Sequence, residues 1–233
     1  MGTPLVQDFF AQRIGGRKFG QDTAIYKFEK IKRAKRSAMK EHPDVELIDL
    51  GVGEPDGPTP QPIVQALAAE AGRAESRGYT DNGIMEFRVA AAEYMQKVFG
   101  VSGLDPETQI NHSIGSKSAL ALLPSALVDT GDVVLMTVPG YPVFGTHSAW
   151  YGARVVNLPL TAENGFLPDL DKIDAETASR AKVLVLNYPN NPTGRCATEA
   201  FYRKVVDWAH EQRVCVIQDA AYAALVHGRR PLS

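Results

Sequence analysis

The stretch Asn187-Tyr188-Pro189-Asn190-Asn191-Pro192-Thr193-Gly194 leaves the apolar run Val183-Leu184-Val185-Leu186 and leads into an amphipathic segment beginning near Thr198. A second apolar run, Val214-Cys215-Val216-Ile217, follows and ends in Gln218-Asp219-Ala220-Ala221-Tyr222. Short unbroken apolar runs on either side of a helical pattern predict a strand–helix–strand unit whose parallel strands are buried on both faces. Both strands would then carry polar groups at their carboxyl ends, where open parallel sheets hold ligands. Two prolines and a glycine restrict the loop path, so Asn191 would sit in a stiff turn. The same residue types also build ordinary crossover turns, so the loop gains meaning only from its companions.

The alternation extends toward the N-terminus. Strands are expected near 109–114, 133–138, 153–157, 183–187 and 214–218, with helices over about 116–128, 143–151 and 198–212. This order predicts an α/β fold of three layers, α/β/α, around a mostly parallel sheet. Two earlier helices are predicted at about 61–74 and 84–98, separated by Arg77-Gly78-Tyr79-Thr80-Asp81-Asn82-Gly83. Ile25, Phe28, Ile31 and Ala34 recur as one side of a further helix, with basic residues around them. The net charge of −2 and the lack of a second basic or aromatic cluster favour a solvated face there over a nucleic-acid patch.

Leu47-Ile48-Asp49-Leu50 reads as a short strand entering Gly51-Val52-Gly53-Glu54-Pro55-Asp56-Gly57. Asp56 stands where a dinucleotide fingerprint needs its third glycine, and prolines follow in place of a helix N-terminus, so a Rossmann site is excluded. The glycines still imply close backbone approach to a neighbour. Residues 1–24, with paired Gly15-Gly16, form an arm expected to be disordered or packed on another subunit. The expected organisation is an arm and small-domain segment over 1–58 and a large domain over 59–233, incomplete at its C-terminus.

Composition removes several classes. The 233 residues are 44% hydrophobic and 22% charged, as in ordinary globular proteins. No apolar run approaches the roughly 18–20 residues of a membrane span. The N-terminus lacks the pattern of a secretory signal, and Val6 stands where myristoylation needs Ser or Thr. Cys196 and Cys215 are too few for a disulfide framework, and His42, His112, His147, His210 and His227 lack ligand spacing. A reduced, cytoplasmic, metal-free protein is expected.

Four predicted element ends carry chemistry. Ile114-Gly115-Ser116-Lys117 joins a predicted strand to a helix; free N–H groups, a hydroxyl and a cation there suit a phosphate, unless Ser116 is only an N-cap. In Pro139-Gly140-Tyr141-Pro142 the ring of Tyr141 could stack on a planar heterocycle or simply pack in its loop. Asn191 and Tyr222 can each donate to an oxygen. Asp219 closes an apolar strand, and a buried carboxylate is costly unless it meets a cation such as a protonated ring nitrogen. Together these groups describe a site for a phosphorylated, nitrogen-containing aromatic with a phenolic oxygen. Pyridoxal 5'-phosphate (PLP) fits that description.

The motifs GSK at 115–117, PGYP at 139–142, NYPNNPTG at 187–194 and DAAY at 219–222 resemble, in order, those of fold-type I PLP-dependent aminotransferases of class I and II, with the likeness running over about 25–233. The resemblance implies an aspartate aminotransferase-like large domain. It implies Asp219 on the pyridinium nitrogen, Asn191 and Tyr222 on the phenolic oxygen, Tyr141 stacked on the ring, and Ser116 with Lys117 at the phosphate. Tyr79 resembles the tyrosine that reaches the cofactor of a neighbouring subunit in a homodimer.

Within the family the resemblance narrows to the LL-diaminopimelate aminotransferases. Ile25-Tyr26-Lys27-Phe28, Leu50-Gly51-Val52-Gly53 and Lys117 directly after Ser116 carry it. It implies transamination between LL-diaminopimelate and 2-oxoglutarate, giving tetrahydrodipicolinate and glutamate, in lysine biosynthesis. Tyr26 (from a partner subunit), Gly53, Lys117, Tyr141 and Asn191 would contact the substrate. Glu54-Pro55-Asp56 departs from that subfamily, which keeps an aspartate, alanine or N-succinyldiaminopimelate type as the alternative.

The family's Schiff-base lysine and its carboxylate-binding arginine would lie beyond Ser233, and neither Lys182 nor Lys204 matches the lysine's place. The chain therefore reads as the N-terminal part of a longer enzyme, with no catalytic lysine of its own, or as a non-catalytic PLP-fold fragment. A PLP-sensing regulator would need a winged helix-turn-helix ahead of the domain, for which 1–24 is too short. A decarboxylase or lyase would share the same groups and differ in its products.

Overall fold

The computed structural model describes residues 5–20, 27–49, 53, 55, 57–228 and 230–232. The chain divides into two compact units, Met1–Thr80 and Asp81–Ser233.

In the first unit the arm folds on itself in short 3-10 turns at Leu5–Phe9, Gln12–Ile14 and Gly16–Lys18. Buried Gln7 organises them, donating through Nε2 to the carbonyls of Arg17 (3.0 Å) and Phe19 (2.6 Å). Helix α1, Lys27–Glu41, follows, with Lys35 paired to Asp49 at 2.8 Å. Helix α2, Gln61–Ala71, starts with Pro62 in its first turn, where the missing N–H costs nothing. Residues 47–49 form no strand and Ile48 is 80% exposed; an extended segment without a ladder partner leaves its backbone to water. An added Cβ at Gly53 would meet open space among the described residues. Tyr26, Leu50, Gly51, Val52, Glu54 and Asp56 lie outside the described residues.

The second unit holds the sheet: β1, Val133–Val138; β2, Arg154–Pro159; β3, Ala181–Asn187; and β4, Cys215–Asp219. All pairings are parallel, in the order β2-β1-β3-β4. Its helices are α3, Met85–Tyr94, continued by a π turn Met95–Phe99; α4, Gly115–Leu127; α5, Val143–Trp150; α6, Ala175–Arg180; and α7, Glu199–Gln212. Thr198 caps α7 by accepting from the N–H of Phe201, and Arg213 ends it in the left-handed region.

Alternation along the central strands sorts the core. Val134 and Met136 of β1 and Val183 and Val185 of β3 pack with Leu120 of α4 and with Val143 and Phe144 of α5. Val133, Leu135, Leu184 and Leu186 pack on the other side with Phe201, Val205 and Ala209 of α7. Both faces are thus covered, giving the three α/β/α layers expected from the apolar runs.

Two further departures from the expected elements appear. Residues 109–114 form no strand: Ile110 is only half-buried, Ile114 is 85% exposed, and the His112 N–H bonds instead to Asn82 O at 3.3 Å. The approach to α4 is therefore a loop. Helix α6 was not expected; its signal is Asp174, whose side chain accepts from the Thr177 N–H at 2.8 Å.

Candidate active site

Because all four strands run parallel, their carboxyl ends share one edge, and three polar segments meet there. Asn187 ends β3 in register with Asp219, which ends β4. Asp219 points to the same face as Ile217, the face packed on α4 and α5. Gln218 points oppositely, donating to Tyr188 O (2.6 Å) and to the Tyr202 hydroxyl on α7 (2.9 Å).

Asp219 is 6% exposed, and its Oδ1 has no hydrogen-bond partner among the described residues. Burial pushes its carboxyl pKa up, and the Ala221 N–H offsets this only in part. A buried acceptor without a donor is costly, and a cationic N–H would relieve both the desolvation and the missing bond.

The loop quoted at the outset is pinned by two buried asparagines. Asn187 donates through Nδ2 to Asp219 O at 3.0 Å and accepts at Oδ1 from the Asn191 N–H at 2.9 Å. Asn190 donates to Pro139 O at 3.3 Å and accepts from the N–H (3.2 Å) and hydroxyl (2.7 Å) of Thr193. The Tyr188 ring is fully buried, and its hydroxyl donates to Phe166 O at 2.9 Å. From this frame Asn191 reaches out, half-buried, its Nδ2 lying 3.5 Å from the Tyr222 hydroxyl. The amide and the phenol thus converge on a common space.

Tyr141 follows β1 and is half-buried against the α4–α5 cluster. Ser116 and Lys117 are exposed in the first turn of α4, which begins at Gly115. Ile114 holds the N-cap position and no side chain caps the helix, so Ser116 is not the N-cap. Uncapped first-turn amides remain a ready anion site. Tyr79 belongs to the first unit, where its side chain is fully exposed; Gly53, in the same unit, is exposed, and Tyr26 lies outside the described residues.

Lys182 occupies the opposite, amino end of β3, where it pairs with Asp132 at 2.8 Å. Lys204, on α7, pairs with Asp171 at 2.5 Å. Neither reaches the carboxyl edge. Among the described residues, no His, Cys, Asp and Glu group is arranged to hold a metal, and no helix is long and apolar enough to cross a membrane.

The residues present fit PLP: an orphaned buried carboxylate for the ring nitrogen, an amide–phenol pair for the phenolic oxygen and an uncapped helix start for the phosphate. The residues missed by sequence reasoning are Asn187 and Asn190. Their sequence signal is no more than that of turn residues; it is burial at the end of a strand that obliges their amides to find partners.

The family model for aminotransferases of class I and II matches residues 45–232. An LL-diaminopimelate aminotransferase of Methanocaldococcus jannaschii is 59% identical over 228 residues, covering 98% of this chain and 54% of that protein. A second, from Methanococcus maripaludis, is 54% identical, covering 98% of this chain and 55% of that protein. The substrate-bound BacF structure from Bacillus subtilis superposes with a TM-score of 0.86 at 33% identity, covering 96% of this chain and 55% of that one. The chain spans about half the length of the curated relatives it matches. The chain belongs to the class I and II aminotransferases, a PLP-dependent family.

Proposed function

We propose that this chain forms the cofactor-binding part of an enzyme that moves an amino group between LL-diaminopimelate and 2-oxoglutarate, producing tetrahydrodipicolinate and glutamate. The observation that carries the reading is the buried, unpartnered Oδ1 of Asp219, set in one asparagine-tied edge with the Asn191–Tyr222 pair. The choice of substrate is supported by the likeness to relatives of that name.

When bound, PLP supplies an electron sink that makes the substrate's Cα proton removable. Asp219 holds a proton at the ring nitrogen, which its own buried charge favours. Asn191 and Tyr222 donate to the phenolic oxygen and orient the ring. Tyr141 covers one ring face and excludes water from it. Ser116 and Lys117, with the first-turn amides of α4, hold the phosphate. Lys117, Tyr141, Asn191, Gly53 and Tyr26, the last from a partner subunit, contact the substrate. The exposed ring of Tyr79 is free to serve the neighbouring active site of a homodimer. In this reading residues 1–58 are the arm and small-domain segment, 59–233 the large domain, and the enzyme is cytoplasmic.

The test incubates the full-length protein with LL-diaminopimelate, 2-oxoglutarate and o-aminobenzaldehyde. The expected result is the coloured dihydroquinazolinium adduct of the cyclised product. No colour together with brisk turnover of alanine or aspartate would sink the substrate assignment and leave the family untouched.

A further inference from the structure

Asn187 is 3% exposed, and both ends of its amide are used inside the protein. Nδ2 holds the main-chain oxygen of Asp219 at 3.0 Å, and Oδ1 holds the main-chain N–H of Asn191 at 2.9 Å. Those two residues are the ones assigned to the nitrogen and to the phenolic oxygen of the cofactor ring. The backbone ladder between β3 and β4 ends at the Asn187–Asp219 pair, so beyond it no regular hydrogen bonding sets the spacing of the two strand ends. One buried side chain bridges them instead.

We propose that Asn187 is a positioning residue that sets the separation of the Asp219 carboxylate and the Asn191 amide, and thereby the affinity and protonation of PLP bound between them. The proposal rests on the cofactor site given above. Asn187 itself touches no ligand; it acts through the two main-chain groups it holds. Rigid support of this kind is what keeps contact residues within the few tenths of an ångström their chemistry needs.

The test uses the full-length protein and four variants: Asn187→Ser, Asn187→Asp, Asn191→Ala and the double variant Asn187→Ser/Asn191→Ala. Asn187→Asp keeps the size and the acceptor for the Asn191 N–H but loses the donor to Asp219. Two quantities are read: the Kd for PLP by equilibrium dialysis, and the midpoint of the pH titration of the bound cofactor's visible absorbance. Melting curves check that each variant is folded.

Asn187→Ser is expected to weaken PLP binding about 10- to 100-fold, the range seen when outer supports of a bound metal are removed. It should also move the absorbance midpoint, a readout that a general loss of stability leaves in place. With Asn191 already alanine, the further loss from Asn187→Ser should shrink several-fold, because the two act through one contact. Wild-type Kd and midpoint in folded Asn187→Ser and Asn187→Asp would overturn the proposal. Failure of both to fold would overturn it as well, leaving Asn187 a purely structural residue. Wild-type protein that binds no PLP would instead bring down the cofactor site itself.

Discussion

The two ends of the same four strands treat polar residues in opposite ways. At the amino end, Asp132 pairs with Lys182 at 2.8 Å, and Arg154 reaches the Thr177 hydroxyl at 3.3 Å. These are largely surface contacts, screened by water and individually worth little. At the carboxyl end, Asn187 and Asn190 are each 3% exposed and Asp219 6%, and one carboxylate oxygen has no partner among the described residues. A fold spends satisfied amides there to hold an unsatisfied charge in place. The amino end is arranged for solubility and the carboxyl end for a guest, which is why the carboxyl group pushed up by burial, not the one held down by its lysine partner, marks the site.

Asp219→Asn should break this contrast most severely. Turnover by the full-length enzyme is expected to fall about 100- to 1,000-fold, the usual size when a preorganised electrostatic partner is removed. The cofactor-free protein should respond in the opposite sense. Because burial raises the folded carboxyl pKa above the unfolded one, the native state binds the extra proton in that interval, and stability falls as pH rises from the ordinary carboxylate value through the raised one. Asp219→Asn should abolish that fall. Melting temperatures of both proteins across pH 4 to about 7, bracketing ordinary and raised carboxylates, check it; parallel curves would contradict the assignment.

Gly140→Ala probes the loop that carries Tyr141. An added Cβ would collide with the main-chain oxygen of Thr137, a group of the buried β1 strand that has little room to retreat. Overpacking of this kind costs about 1–3 kcal/mol. A denaturant midpoint lowered with its slope unchanged is the expected signature. Lys182→Met, at the amino end, should leave PLP affinity and turnover unchanged despite removing the lysine paired to Asp132. A loss of activity there would erase the distinction between the two ends.

Much of this was legible in the residues. Val133–Val138 and Val183–Leu186 declared strands because β-branched and apolar runs of that length suit a doubly covered sheet. The motif ends named Asp219, Asn191, Tyr222 and Tyr141 by their chemistry. Residues 47–49 and 109–114 misled, because a short extended pattern becomes a strand only if another strand lies beside it. Within 109–114, His112 bonds to Asn82 instead and its ring meets Phe87 edge-on at 5.3 Å. Asn187 and Asn190 looked like turn residues, and nothing local distinguishes a loop asparagine from one whose amide spans two strand ends.

By itself, then, the order of apolar runs, caps and glycines determined most element types and the α/β class, which depend on periodicity, while the four ordered motifs carried the resemblance to the family. Only the tertiary structure decided that Asn187 joins Asp219 to Asn191 and Asn190 joins the NYPNNPTG loop to Pro139. It also decided that one oxygen of Asp219 has no partner among the described residues. Those facts depend on strand order, register and burial, which arise from contacts between distant residues, as in the bridges Asn187–Asp219 (32 positions apart) and Asn190–Pro139 (51), and no local pattern encodes them.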